Sequence, residues 1–461
     1  MKFIGRDIEK GIIDAELNND KFSSILLYGR RRVGKTELIS ECLKNRKERI
    51  LYFTAEKVSY NENLNLFFDY ITNVYGFPYS FTSLESALDF IGENSLKEKT
   101  TLVIDEYSYF RNGNARVDSI IQKFIDRNNK NGNLNIIISG SLIEIMKSII
   151  DGGEPLYGRF TSIIDLKPFN YLEVAKYFKD KSDEEKFMIY AIFGGVPHYL
   201  NLIDRNKSVE ENIIRLFYSK NAVMESEIEI LLNGELSKIE LANTVLSIIK
   251  KGSKTYTDIN QKISSKQNGN GATYILNKLY NIGLIDKEIS INKSDSKKSL
   301  YYICDNALLF YYTYIMPYKN QMRLLSPETF YHKYVKKDVE TNYIPKQFEK
   351  LCKEYLVEMN KRNMLKVPFY AIGKLTYHNK KDDINREFDI VTEDDNGYIY
   401  YECKYHQKKM SHKEIEEEIA QASSTTIKFY KYAFFSRKGY EKDAGKKEYM
   451  LYTLKDIYSI D

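Results

Sequence analysis

Tryptophan is absent from the 461 residues, and the chain holds only 8 prolines, 5 histidines and 4 cysteines. The cysteines are Cys42, Cys304, Cys352 and Cys403. They form no Cys-x-x-Cys pair, and no His/Cys spacing suits tetrahedral zinc, which argues against a zinc-finger module. Their dispersal fits a reducing cytoplasm. No run reaches 18 apolar residues, so no transmembrane helix is expected. The opening Met1-Lys2-Phe3-Ile4-Gly5-Arg6 turns polar too early for a signal peptide, and the expected location is cytoplasmic, with no membrane partner. An excess of one charge is also missing: 69 basic residues face 64 acidic ones, a net of +5. That balance does not announce nucleic acid, but it leaves room for local basic patches. Tyrosine, by contrast, occurs 39 times. Together with abundant Lys, Asn and Ile, this points to an AT-rich coding sequence rather than to a functional tyrosine array. Internal repeats and long low-complexity tracts are lacking as well.

The length exceeds what one core usually serves, and the 43% apolar fraction supports two to four packed domains. Five short apolar runs punctuate residues 1–170: Ser24–Tyr28, Ile50–Thr54, Thr101–Ile104, Leu134–Ser139 and Ser162–Leu166. Continuous runs of this kind suit strands buried on both faces, and helical patterns separate them, so a doubly wound α/β core is expected. Residues 171–235 read as helical, a lid on that core, with Pro197 breaking the pattern after Gly194-Gly195. Residues 236–315 show three helices (236–250, 256–263 and 271–282) and two strand-like pieces around a lysine-rich turn at Asn292–Lys298, the pattern of a winged helix-turn-helix. Residues 316–345 form a connector with Pro317, Pro327 and Pro345. A last α/β domain, 346–461, holds a helix (Gln347–Glu358), a hairpin (Glu387–Tyr405) and an acidic amphipathic helix (His412–Ala422). The expected class is therefore multidomain, with an α/β core, a helical lid, a winged helix and a C-terminal α/β domain.

The strongest chemical signal is Gly29-Arg30-Arg31-Arg32-Val33-Gly34-Lys35-Thr36. It fits G-x-x-x-x-G-K-[ST] between a strand and a helix, the P-loop context. Its backbone N–H groups would wrap phosphates, Lys35 would reach the β- and γ-phosphates, and Thr36 would hold Mg²⁺. The strand Thr101–Ile104 then ends in two carboxylates. Asp105 would ligate Mg²⁺ through water, and Glu106 would orient and deprotonate the attacking water. A further strand ends Ser139-Gly140-Ser141. These hydroxyls would either sense the γ-phosphate, at the strand end where open α/β sheets bind ligands, or cap the helix Leu142–Ile149. Arg159 is either an arginine finger, in cis or toward a neighbouring subunit, or a surface salt-bridge partner. Arg30, Arg31 and Arg32 carry no assigned role; phosphate screening and subunit contacts both remain open.

In the last domain, Asp394-Asp395-Asn396-Gly397 marks a hairpin turn. A two-residue Asn396-Gly397 turn pairs residues whose numbers add to 793, which sets Asp389 opposite Lys404 and diagonal to Glu402. Glu402 and Lys404 share one face, so the three side chains converge. The bland alternative is a salt-bridged hairpin. In the winged-helix segment, Tyr274 and Lys278 on the third helix and Lys293, Lys297 and Lys298 in the wing are candidate DNA contacts, or else the segment packs internally or faces another subunit.

Several motifs together carry a family resemblance: Phe3-Ile4-Gly5-Arg6, the Gly29–Thr36 loop, Asp105-Glu106, the Ser-Gly-Ser strand end, Leu156-Tyr157-Gly158-Arg159 and Gly194-Gly195-Val196-Pro197. Residues 1–235 resemble the archaeal-type ATPase family, a branch of the AAA+/STAND P-loop ATPases. The resemblance implies ATP with Mg²⁺, an additional strand in the sheet that sets the Asp105 strand near the Gly29 strand, and adenine flanked by Phe3, Ile4, Gly5 and Arg6 on one side and by Val196-Pro197 on the other. A guanine-reading Asn-Lys-x-Asp is lacking. Residues beyond about 340 resemble the domain that commonly ends such ATPases, and Asp389…Glu402-x-Lys404 resembles the PD-(D/E)XK nucleases, with Phe388 in place of the family's proline. That likeness implies a metal held by Glu349, Asp389 and Glu402, with Lys404 helping to position or activate the water that attacks a phosphodiester. The expected partners are thus ATP, DNA and further copies of the chain.

Overall fold

The computed structural model describes residues 3–76, 79–112, 114–264, 271–291, 299–379, 384–442 and 449–460. The chain divides into two compact units, Met1–Phe169 with Val196–His198, and Asn170–Gly195 with Tyr199–Asp461. No described helix is long and apolar enough to cross a membrane.

The first unit is built on five parallel strands: β1 (Ser23–Tyr28), β2 (Arg49–Thr54), β3 (Thr100–Asp105), β4 (Leu134–Gly140) and β5 (Ser162–Asp165). Their order is β2-β3-β4-β1-β5, so β4 is inserted between β1 and the Asp105 strand. Every residue of β1, β3 and β4 is buried. Burial on both faces explains why these strands read as unbroken apolar runs. On one face, Ile25, Leu27, Val103 and Ile137 pack against Ile13 and Leu17 of the helix Asp7–Asn18 and against Leu38 and Ile39 of the helix Lys35–Leu43. Each such side chain contributes roughly 1.5–3 kcal/mol by leaving water. This packing fixes the second helix with its N-terminus at the carboxyl ends of β1 and β3.

The second unit begins with helices, several of which start at capping boxes, such as Asn170 with Glu173 and Ser182 with Glu185. Each Asn or Ser satisfies an N–H of the first turn, and the glutamate three residues on reaches back to the cap. Residues 239–303 carry the helices Ile239–Ile249, Tyr256–Ser264 and Gly271–Asn281 with a small sheet, β6 (Lys254–Thr255), β7 (Ile285–Glu288) and β8 (Leu300–Ile303), ordered β6-β8-β7. The two-residue strand β6 has no sequence signature of its own. The Asn292–Lys298 turn, with Lys293, Lys297 and Lys298, lies outside the described residues.

A separate five-stranded sheet closes the chain: β9 (Ala371–Asn379), β10 (Ile384–Asp394), β11 (Gly397–Lys404), β12 (Phe429–Ser436) and β13 (Met450–Thr453), in the order β13-β12-β11-β10-β9. The β9–β10–β11 pairings are antiparallel, and β12 and β13 add in parallel. The helices Ile344–Lys361 and His412–Ser423 accompany this sheet. The β10–β11 register differs from the expected one. Asp394 pairs with Gly397 and Ile390 with Tyr401, so paired numbers add to 791 and the turn residues are Asp395-Asn396. Asp394 draws the turn back one step by accepting the Asn396 N–H at 2.8 Å. Asp389 is thereby carried toward Glu402 rather than Lys404. The change moves the pairing by two positions, which preserves the face, because strand side chains alternate with period two.

Candidate nucleotide site

Between β1 and the helix Lys35–Leu43 the chain makes a tight loop that only particular residues allow. A Cβ on Gly29 would lie 2.4 Å from the Leu166 carbonyl oxygen, so glycine is required there. Gly34 has φ 93°, a left-handed conformation that glycine adopts without strain. Arg32 has φ 69°. Lys35 is buried and donates to the Gly29 and Arg30 carbonyls at 2.9 and 3.3 Å, folded over the loop it begins from. The helix N-terminus adds a favourable dipole for an anion.

Four donors converge on Asp105. Thr36 Oγ1 and the Tyr52 hydroxyl each donate to Asp105 Oδ2 at 3.0 Å. Ser139 donates to Oδ1, as does the Glu106 N–H at 2.9 Å. Glu106 itself has φ 53°, a conformation that costs a non-glycine residue free energy and that clusters at functional sites. Its carboxylate accepts from Ser141 Oγ at 2.7 Å and from the Ser141 N–H at 3.3 Å. The two serines therefore hold the two acids. The following helix starts at Ile143 with Leu142 at its cap and no side-chain cap bond, so neither serine is its N-cap. The donors gathered here, from Thr36, Asp105 and Ser139, are all hard oxygens, which suit Mg²⁺. Among the described residues no group of three or more His, Cys, Asp or Glu is placed to hold a metal ion. A cation with one protein carboxylate, completed by nucleotide phosphates and water, fits that donor set.

The flanking motifs reach the same loop. Arg6, at φ 63°, donates to the Val33 carbonyl at 2.9 Å and stacks its guanidinium 4.5 Å from the Phe169 ring. Phe3 packs on the core cluster that includes Val33. Pro197 lies on the other side, with its Cγ 3.9 Å from where a Gly34 Cβ would be. Burial, and then the Arg32 charge, hold the pKa of neighbouring His198 below its ordinary value. Arg31 bonds to the Tyr109 hydroxyl, which gives that arginine a structural partner.

Arg159 stands elsewhere. Its carbonyl accepts from Ser24 Oγ at 2.6 Å, beside the start of β1, while the loop follows the end of that strand. The intervening strand spans roughly 16 Å at 3.3 Å per residue. Its guanidinium pairs with Asp126 at 2.7 Å. The expectation of an arginine finger in cis is corrected accordingly: the side chain points to a helix at the far end of the sheet. Sequence reasoning also missed Tyr52. It is one tyrosine among 39, on a strand with no motif, and only the sheet order brings it to Asp105. Burial, and then Asp105, raise the pKa of its hydroxyl.

In the second unit, Glu349, Asp389, Glu402 and Lys404 are brought into one electrostatic cluster. Burial, followed by the Asp389 and Glu402 charges, pushes the Glu349 carboxyl up to about 8. Glu402 is raised by burial, against the pull of Lys404. Lys404 bridges Glu402 at 2.7 Å and Glu418 at 2.6 Å, and although burial opposes it, these carboxylates raise its pKa. Asp389 sits at a β-bulge between Phe388 and Val391, 3.5 Å from Lys374. Bulges re-aim side chains in this way. Here the cluster is closed by its own lysines, and the three expected metal carboxylates do not form a preassembled metal site among the described residues.

Two stretches of the chain are similar to known families. Residues 3–203 match a family model described as an ATPase domain predominantly from Archaea. Residues 311–417 match one described as archaeal and bacterial proteins of unknown function. An uncharacterized protein of Methanocaldococcus jannaschii is 28% identical over 417 residues, 88% of each chain. An uncharacterized ATP-binding protein of the same organism is 47% identical over 45 residues, 10% of this chain and 76% of its own. Among solved structures, a Walker-type ATPase of Pyrococcus abyssi aligns with a TM-score of 0.49 and 19% identity, covering 68% of this chain and 96% of that one.

Proposed function

We propose that this chain, whose residues 3–203 match the model of an ATPase domain predominantly from Archaea, binds ATP with Mg²⁺ and hydrolyses it at the Gly29–Thr36 loop. The observation that carries the reading is the 3.0 Å contact between Thr36 Oγ1 and Asp105 Oδ2, at the N-terminus of one helix and the end of β3. A hydroxyl and a carboxylate from separate elements meet where the phosphates of a nucleotide on the loop would end. Mg²⁺, when bound, neutralises charge on the β- and γ-phosphates. The protein's part is positioning. The loop amides cradle the phosphates, Lys35 leaves its loop carbonyls for phosphate oxygens, and Glu106 leaves Ser141 to orient the attacking water. Adenine sits between the Phe3–Arg6 turn and Pro197 in this reading. The test is the Glu106→Gln variant. It should bind ATP like the wild type and turn it over far more slowly; undiminished turnover would remove Glu106 from the mechanism.

The finer reading couples that cycle to DNA. Three helices followed by the β7–β8 hairpin support a winged helix, and Tyr274 is 47% exposed on its third helix, with Lys278 one turn on. The cluster of Glu349, Asp389, Glu402 and Lys404 supports a nuclease-like last domain, whose cleavage would require Lys404 to release Glu402. Two measurements decide. DNA affinity should fall steeply with salt, and a flat response would exclude phosphate contacts. DNA incubated with Mg²⁺ or Mn²⁺ should be cut by the wild type and not by Asp389→Ala. Absence of cutting, with equal metal binding by both proteins, would leave a nucleotide-dependent switch whose last domain only binds partners.

A further inference from the structure

Tyr52 lies on β2, the strand next to β3 at the edge of the first sheet. The register pairs Tyr52 with Val103 and Thr54 with Asp105. Val103 and Asp105 are two apart and share a face, so the Tyr52 ring stands on the face that the Asp105 carboxylate occupies. A tyrosine side chain reaches roughly the 6–7 Å that two strand residues span, and the hydroxyl arrives at Oδ2 at 3.0 Å. The ring is held in place. It packs against the core under the sheet, and the Tyr52 N–H donates to the Tyr70 hydroxyl at 2.6 Å.

An ionised carboxylate offers about four lone-pair sites. On Asp105 they are matched by Thr36 and Tyr52 at Oδ2 and by Ser139 and the Glu106 N–H at Oδ1. In the proposed function the Thr36 hydroxyl turns toward the cation. Tyr52 then stays on Oδ2 after Thr36 has left it. We infer that Tyr52 is a positioning residue for the nucleotide-bound cation: its hydroxyl fixes the rotation of the Asp105 carboxylate, so that Oδ2 meets the water shell of Mg²⁺ without reorganising. This rests on the Mg²⁺-nucleotide reading of the loop. Partners behind a metal ligand change metal affinity by typically 10–100-fold when removed.

The test is titration of a fluorescent ATP analogue into the full chain, first in EDTA and then at stepped Mg²⁺, for wild type, Tyr52→Phe and Asp105→Asn. Phenylalanine keeps the ring and its packing. Affinity in EDTA should be the same within about twofold for wild type and Tyr52→Phe, whereas the Mg²⁺ concentration giving half of the metal-dependent gain should rise about tenfold in Tyr52→Phe. It should rise further in Asp105→Asn. A Tyr52→Phe midpoint within twofold of wild type, with Asp105→Asn shifted, would overturn the role of Tyr52 alone. Weakened binding of Tyr52→Phe in EDTA would also overturn it, because that marks a structural role. If Asp105→Asn leaves the midpoint unchanged, the Mg²⁺ reading of the site fails, and the inference fails with it.

Discussion

Glu349 gives the second unit a pH dependence that can be worked out. Its carboxyl is pushed from the ordinary 4.5 to about 8, by burial first and then by Asp389 and Glu402. In the unfolded chain it titrates near 4.5, so between that value and about 8 the folded state holds a proton that the unfolded state has lost. The stabilisation is therefore complete below about pH 4.5 and disappears as pH rises through about 8. The difference between the two values sets a ceiling of about 5 kcal/mol. Glu349 is only partly screened from solvent, and its partners relax, so about 2 kcal/mol is the expected share. Glu349→Gln supplies a neutral group of the same shape and should keep the low-pH stability at every pH, which removes this pH dependence. Other buried carboxyls, Glu354 and Glu402 among them, are raised in the same direction, so the informative quantity is the difference between variant and wild type. Calorimetric unfolding should give similar transitions at pH 5, and by pH 8 the wild type should melt about 4 °C below the variant, at roughly 2 °C per kcal/mol for a unit of this size. Parallel pH profiles for the two proteins would refute the argument.

Other substitutions probe the nucleotide unit. Gly29→Ala forces a Cβ to 2.4 Å from the Leu166 carbonyl, which the Leu166 N–H ties to Tyr28 at 2.7 Å; it should cost about 2–3 kcal/mol in unfolding and abolish nucleotide binding. Glu106→Gln should lower the turnover number on the order of 10²-fold or more, with ATP affinity kept, as read from phosphate release and analogue binding. Arg159→Ala should leave turnover within about twofold at high dilution, because the residue pairs with Asp126 at the other end of β1; a larger loss would assign it to a neighbouring subunit's site.

What the sequence disclosed, and what it hid, follows from the range of the forces involved. The three central strands of the first sheet, β1, β3 and β4, were legible because each is buried on both faces, so the whole signal lies in one local run. The loop was legible because its backbone demands glycine at fixed places: a Cβ on Gly29 would meet the Leu166 carbonyl, and Gly34 is left-handed. Hairpin pairing in the last domain was legible to within one step. The turn chemistry of Asp394, which accepts the Asn396 N–H, moved it, yet the period of two kept Asp389, Glu402 and Lys404 on one face. Tyr52 was hidden because its partner lies 53 residues away on another strand, and sheet order is a property of the whole fold. Arg159 misled because its motif says nothing of which end of the sheet it occupies. The lysine bridge from Lys404 to Glu418 was hidden as well, since Glu418 belongs to a helix whose docking no local pattern encodes.

The central claim is that Gly29–Thr36 is a working ATP site, and the most direct measurement is Mg²⁺-dependent phosphate release from ATP by wild type and by Lys35→Ala. The account predicts turnover in the wild type that EDTA abolishes, and a loss on the order of 10²-fold or more in Lys35→Ala, whose ammonium would otherwise stabilise the phosphates in the transition state. Equal turnover by the two proteins would contradict it.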